Sequence, residues 1–109
     1  MKKEKWNVII IMTDQHRALS CSAYGNSEVT TPCIDQLARE GVLFENAYCQ
    51  YPICVASRQS FITGLYPGHH GTYNNAMHTI DPYQWTFPKA FAQAGYETVL
   101  IGTVSYTHL

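Results

Sequence analysis

The sequence predicts an α/β protein with a mostly parallel central sheet. Two observations carry that prediction. Residues 8–12 and 97–101 are largely apolar runs with little polar alternation, the pattern of strands covered on both faces. Between them lie segments with helical caps and helical spacing, so the elements read β-α-β-α-α-β.

The first run, Val8 to Met12, leads into Asp14 and Gln15. Ligand groups of open α/β sheets sit at the carboxyl ends of strands. A carboxylate beside an amide oxygen there suits a hard divalent cation. The plainer alternative is that the two residues cap a turn. Residues 18–30, with Gly25, Asn26 and Ser27, read as a surface connection. Thr31 is placed as a helix N-cap with Pro32 at the first helical position. Ile34, Leu37 and Ala38 form the apolar stripe of that helix, and Gly41 ends it. Residues 42–48 return to a strand, with Val42, Phe44, Asn46 and Tyr48 on one side. A short helix over 56–63 sets Cys54 near its N-terminus, where dipole and N–H groups favour an anion. Tyr66, Pro67 and Gly68 make a turn. Thr86 opens a further amphipathic helix to Ala94, closed by Gly95, with Phe87 and Phe91 on one face. Residues 97–101 are the last strand.

The chain has 109 residues, enough for one small domain. Seven Lys plus Arg stand against eight Asp plus Glu, which excludes a nucleic-acid surface or a polybasic membrane patch. No stretch reaches the roughly 18 apolar residues of a membrane span. The apolar run after the basic N-terminus falls short of the roughly 7–15 residues of a signal-peptide core. A cytoplasmic protein without nucleic-acid or membrane partners is the expectation. The four cysteines, at 21, 33, 49 and 54, give no C-x-x-C pair and no zinc-finger spacing. Cys21, Cys33 and Cys49 read as reduced structural thiols. There is no internal repeat and no low-complexity tract.

Cys54, Val55, Ala56, Ser57 and Arg58, followed by Gln59 through Thr63 and Gly64, resemble the sulfatase signature C-x-[P/A]-S-R with its short helix and x-T-G. Residues 7–15 look like the opening of a sulfatase domain. The Asp14–Gln15 form resembles the choline-sulfatase and phosphonate monoester hydrolase branches, where many other sulfatases have Asp-Asp. Residues 31–49 resemble the family stretch T-P-N-[I/L]-D-x-L-A-x-E-G-V-x-F-x-N-A-Y, with Cys33 in place of the usual Asn. Three motifs thus stand in the family's order and approximate spacing, over residues 7–102.

The resemblance to the type I, formylglycine-dependent sulfatases implies an alkaline-phosphatase-like α/β/α sandwich, of which residues 1–102 would be the N-terminal part of the catalytic domain. It implies that a maturase oxidises Cys54 to formylglycine, whose hydrated aldehyde is the nucleophile. Maturases of some bacteria accept Ala at the motif's third position, here Ala56. Arg58 lies about one helical turn beyond Cys54 and returns to the same face. Its fixed positive charge suits a deprotonated diol and a sulfate oxygen. The catalytic residues implied are therefore Cys54 and Arg58. The metal ligands implied are Asp14, Gln15 and the modified Cys54, around Ca2+ with Mn2+ or Mg2+ as alternatives. Asn75 matches an Asn that contacts the substrate's anionic group; a plain turn at Asn74 and Asn75 is the competing view. His70 matches a position of the Y-P-x-x-H-G loop and reads as loop structure. His16 reads as a partly exposed loop residue, and His78 carries no assignment. The partners implied are a sulfate ester, small molecule or glycan, and the maturase.

The resemblance stops at the C-terminus. Sulfatases usually continue G-K-x-H after such a strand, but here Thr103 and Ser105 replace Lys and His. Residues 103–109 form an anomalous tail that looks like a translated sequencing adapter. Sulfatase domains run to several hundred residues, and further metal ligands and acid–base residues lie downstream in the family. The expected function is sulfuric ester hydrolysis by the complete enzyme, with these 109 residues alone inactive. A phosphonate or phosphodiester monoester hydrolase, and a non-catalytic truncated remnant, are the alternatives.

Overall fold

The structure is a computed structural model and describes residues 5–76 and 80–102. The chain divides into two compact units, Met1–Ala47 and Tyr48–Leu109. The anomalous tail and His78 lie outside the described residues.

In the first unit, two short 3-10 turns, Ala18–Ser20 and Ser22–Tyr24, precede helix α1, Pro32–Glu40. Helix α1 starts where Thr31 and Pro32 place it. Thr31 does not cap it through its side chain. The Thr31 hydroxyl instead donates to Asp35 Oδ1 at 3.1 Å, and the Ser22 hydroxyl donates to Asp35 Oδ2 at 2.7 Å. Ser22 N–H donates to Thr31 Oγ1 and Thr31 N–H to Ser22 Oγ. This reciprocal set fastens the second 3-10 turn to the first turn of α1. It also leaves a carboxylate at the positive end of the helix dipole. Gly41 closes the helix, its N–H bonded to Leu37 O at 2.9 Å.

In the second unit, α2 spans Cys54–Thr63, α3 is the single turn Pro67–His70, and α4 is Phe87–Gln93. Helix α2 begins at Cys54 itself, two residues ahead of the expected start, and ends on Gly64 at φ 72°. The turn expected at 66–68 winds on through His70 as α3. Thr86 caps α4 as expected, its hydroxyl accepting from Lys89 N–H. An edge-to-face ladder ties α4 to α2: Phe61–Phe87 at 5.4 Å, Phe87–Phe91 at 6.3 Å and Phe91–Tyr96 at 5.1 Å.

The expected sheet is not formed among the described residues. Among the described residues there is no strand at 8–12, 42–48 or 97–101. Residues 8–12 still alternate in exposure: Val8 54%, Ile9 82%, Ile10 52%, Ile11 83%, Met12 44%. Period two is the mark of chain whose side chains point to opposite sides in turn. No strand ladder joins these runs among the described residues. Helical bonds close within a segment, whereas a ladder needs a second segment alongside. The covered core is correspondingly small. Cys21 and Ala56 are its buried hydrophobic residues among those described, and Leu37 of the α1 stripe stays exposed. No described helix is long and apolar enough to cross a membrane.

Candidate active site

The site is built on the first turns of α2. The first helical hydrogen bond runs from Ser57 N–H to Ile53 O at 2.8 Å. The N–H groups of Cys54, Val55 and Ala56 therefore lie ahead of the helical ladder. Ile53 offers no side-chain cap. Val55 N–H is taken instead by Asn75 Oδ1, at 3.2 Å and twenty residues on. The Cys54 thiol is exposed at the first helical position, and Arg58 is half-buried one turn along on the same face. Ala56 between them is fully enclosed at 0% exposure.

Behind this turn the helix carries buried polar side chains, Gln59, Ser60 and Thr63. Each has a partner. The Thr72 hydroxyl, on a residue only 1% exposed, donates to Gln59 Oε1. Thr63 Oγ1 donates to Gln59 O at 2.6 Å. Thr72 N–H donates to His70 Nδ1 at 3.2 Å, which leaves the ring proton on Nε2, facing Ser60 Oγ at 2.9 Å. Burial holds the His70 pKa below its ordinary 6.5, partly opposed by a backbone hydrogen bond. Among the described residues no buried side-chain nitrogen or oxygen lacks a partner. His70, read from sequence as loop structure, is thus the residue that seats that loop on α2.

Asp14 and Gln15 belong to the first unit and are both exposed. Gln15 has φ 52°, the one left-handed non-glycine residue among those described. Backbone in that region is uncommon for such a residue and recurs at functional sites. A carboxylate and an amide oxygen match the chemistry of a hard cation but fall short of the six to eight oxygens that calcium takes. No group of three His, Cys, Asp or Glu side chains gathers among the described residues. His16 Nε2 lies 3.4 Å from the Sγ of buried Cys21, a pairing with no signal in the sequence. The cysteines are unbridged. Cys21 fits the structural-thiol expectation, whereas Cys33 and Cys49 are exposed.

An exposed thiol at a helix start, a guanidinium one turn on and an amide held over the same turn thus share the first turns of α2. Residues 6–109 match the model of the sulfatase family. The chain belongs to that family. It is 40% identical over 96 residues to an N-acetylglucosamine-6-O-sulfatase of Bacteroides thetaiotaomicron, covering 88% of this chain and 17% of that protein. It is 40% identical over 98 residues to an arylsulfatase of Clostridium perfringens, covering 90% and 20%. It is 38% identical over 100 residues to the iduronate 2-sulfatase of Homo sapiens, covering 90% and 18%. The chain thus spans at most 20% of the length of these curated relatives. No solved structure matches it.

Proposed function

We propose that this chain is the nucleophile-bearing N-terminal part of a sulfatase that hydrolyses a sulfate ester, on a small molecule or a glycan. The observation that carries the reading is the start of α2. Cys54 is its first residue, exposed, with Arg58 one turn away and Asn75 seated on Val55 N–H. Oxidised by a maturase to formylglycine and hydrated to the gem-diol, residue 54 would supply one hydroxyl to attack sulfur as the S–O bond to the alcohol breaks and the alcohol leaves protonated, and a second hydroxyl whose deprotonation re-forms the aldehyde and expels sulfate. Arg58 offsets negative charge on the transferring group. The first-turn N–H groups and the dipole of α2 act on the same charge. Asn75 turns its oxygen to Val55 N–H, so its NH2 is the end that donates to the anion. Asp14 and Gln15 would contribute oxygens to a divalent cation, calcium first by donor type, which when bound polarises a sulfate oxygen. The complete domain would adopt the α/β/α sandwich of the family, its strands at 8–12, 42–48 and 97–101 paired.

The test is turnover by the complete, formylglycine-bearing protein on an aryl sulfate and an aryl phosphonate monoester. The sulfate should be the better substrate. Cys54→Ala should abolish turnover, and Arg58→Ala should lower kcat about 10²–10³-fold. Faster turnover of the phosphonate would assign the site to a phosphonate monoester hydrolase instead. Full activity in Cys54→Ala would end the reading.

A further inference from the structure

The segment from Tyr66 to Asn75 is fastened along α2 at successive levels. At the level of Ser60, the His70 imidazole faces the serine hydroxyl at 2.9 Å. At the level of Gln59, the Thr72 hydroxyl donates to the buried amide oxygen. Ahead of the helix, Tyr73 packs edge-on to Tyr51, ring centroids 6.0 Å apart. At the first turn, Asn75 Oδ1 meets Val55 N–H at 3.2 Å. The Thr72–Gln59 contact is buried, the His70–Ser60 contact is part-buried and the Asn75 contact is exposed.

We propose that Thr72 and His70 are positioning residues for Asn75: they hold the segment in register along α2, so that the Asn75 amide stands over the turn that begins with Cys54. This rests on the sulfatase reading given above. An exposed amide at the end of a loop explores many rotamers, and ordering it costs entropy at each binding event. Anchors a few residues back remove most of that freedom beforehand. Thr72 is the critical one. It touches Gln59 through its hydroxyl and His70 through its N–H, so both anchors pass through one residue.

The experiment is a double-mutant cycle in the complete, formylglycine-bearing enzyme, read as KM and kcat on an aryl sulfate. Asn75→Ala should lower kcat/KM about tenfold to a hundredfold, the usual weight of a hydrogen bond to a charged group. Thr72→Val keeps the shape and deletes the hydroxyl; it should lower kcat/KM about tenfold, mostly through KM. Combined with Asn75→Ala it should add less than about twofold, because the lost anchor has nothing left to position. Thr72→Ser should restore the wild-type value. His70→Gln removes the other anchor and leaves the Thr72 hydroxyl in place. Normalised to formylglycine content by mass spectrometry, it should lower kcat/KM when Asn75 is present, add less than about twofold to Asn75→Ala, and keep the proposal testable if Thr72→Val fails to fold. Multiplicative losses in the cycle would overturn the positioning role and leave Asn75 as a substrate contact. An Asn75→Ala enzyme with unchanged kinetics would overturn both.

Discussion

Ala56 gives a sharp test of the packing at the start of α2. It is the third residue of α2 and has no exposed surface. Its N–H lies ahead of the helical ladder, which starts with Ser57. Proline there loses no helical hydrogen bond, and its φ matches the helix. It narrows the unfolded ensemble, a gain of about 0.4–1 kcal/mol. It also pushes Val55 away from helical angles, which opposes that gain. Ala56→Pro should therefore lie within about 1 kcal/mol of the parent. Ala56→Leu forces extra carbons into a closed space and should cost about 1–3 kcal/mol. Urea unfolding followed by far-ultraviolet circular dichroism measures both. Equal losses for Pro and Leu would mean that the residue 56 N–H has a partner the structure does not assign. A neutral Ala56→Leu would mean the space is open. The same geometry explains why the signature admits Pro or Ala at this position: the backbone can spare the donor, and the pocket admits little bulk.

Two further outcomes follow from the second unit. The folded-state pKa of His70 lies below its ordinary 6.5, so the folded state favours the neutral ring. Its contribution to stability is complete above the ordinary value and is lost as pH falls through it towards the folded value. Thermal midpoints on acidification below pH 6.5 should drop further for the parent than for His70→Gln; equal drops would count against the neutral-ring geometry. Phe87 meets both Phe61 and Phe91 edge-on and is half-buried. Phe87→Ala should cost about 2 kcal/mol in urea unfolding, below the full-burial range and above one aromatic pair.

The helices were legible because their signals are local. Thr31 with Pro32, and Thr86 with Phe87 and Phe91, are neighbours in sequence and act as neighbours in space. The placement of Cys54 and Arg58 one turn apart on one helix is legible for the same reason. The start of α2 was placed two residues late, because no capping side chain precedes it; its cap, Asn75, comes from twenty residues downstream. The Thr72–Gln59 pair was invisible, since a threonine and a glutamine thirteen residues apart carry no periodicity that links them. The strand runs showed the right composition, yet composition specifies a surface for pairing and does not supply the neighbour.

On the ribosome, order of appearance matters. The apolar run at 8–12 is made before the residues of α2, at a pace of about 5–20 residues per second. Throughout that interval Ile9 and Ile11 offer bare hydrocarbon to any strand that passes. The charges that flank the run, Lys5 before it and Asp14 after it, are the nearest deterrents to such pairing. How long the nascent segment waits for its proper neighbours, and what shields it meanwhile, governs the yield of folded protein as much as any contact in the finished site.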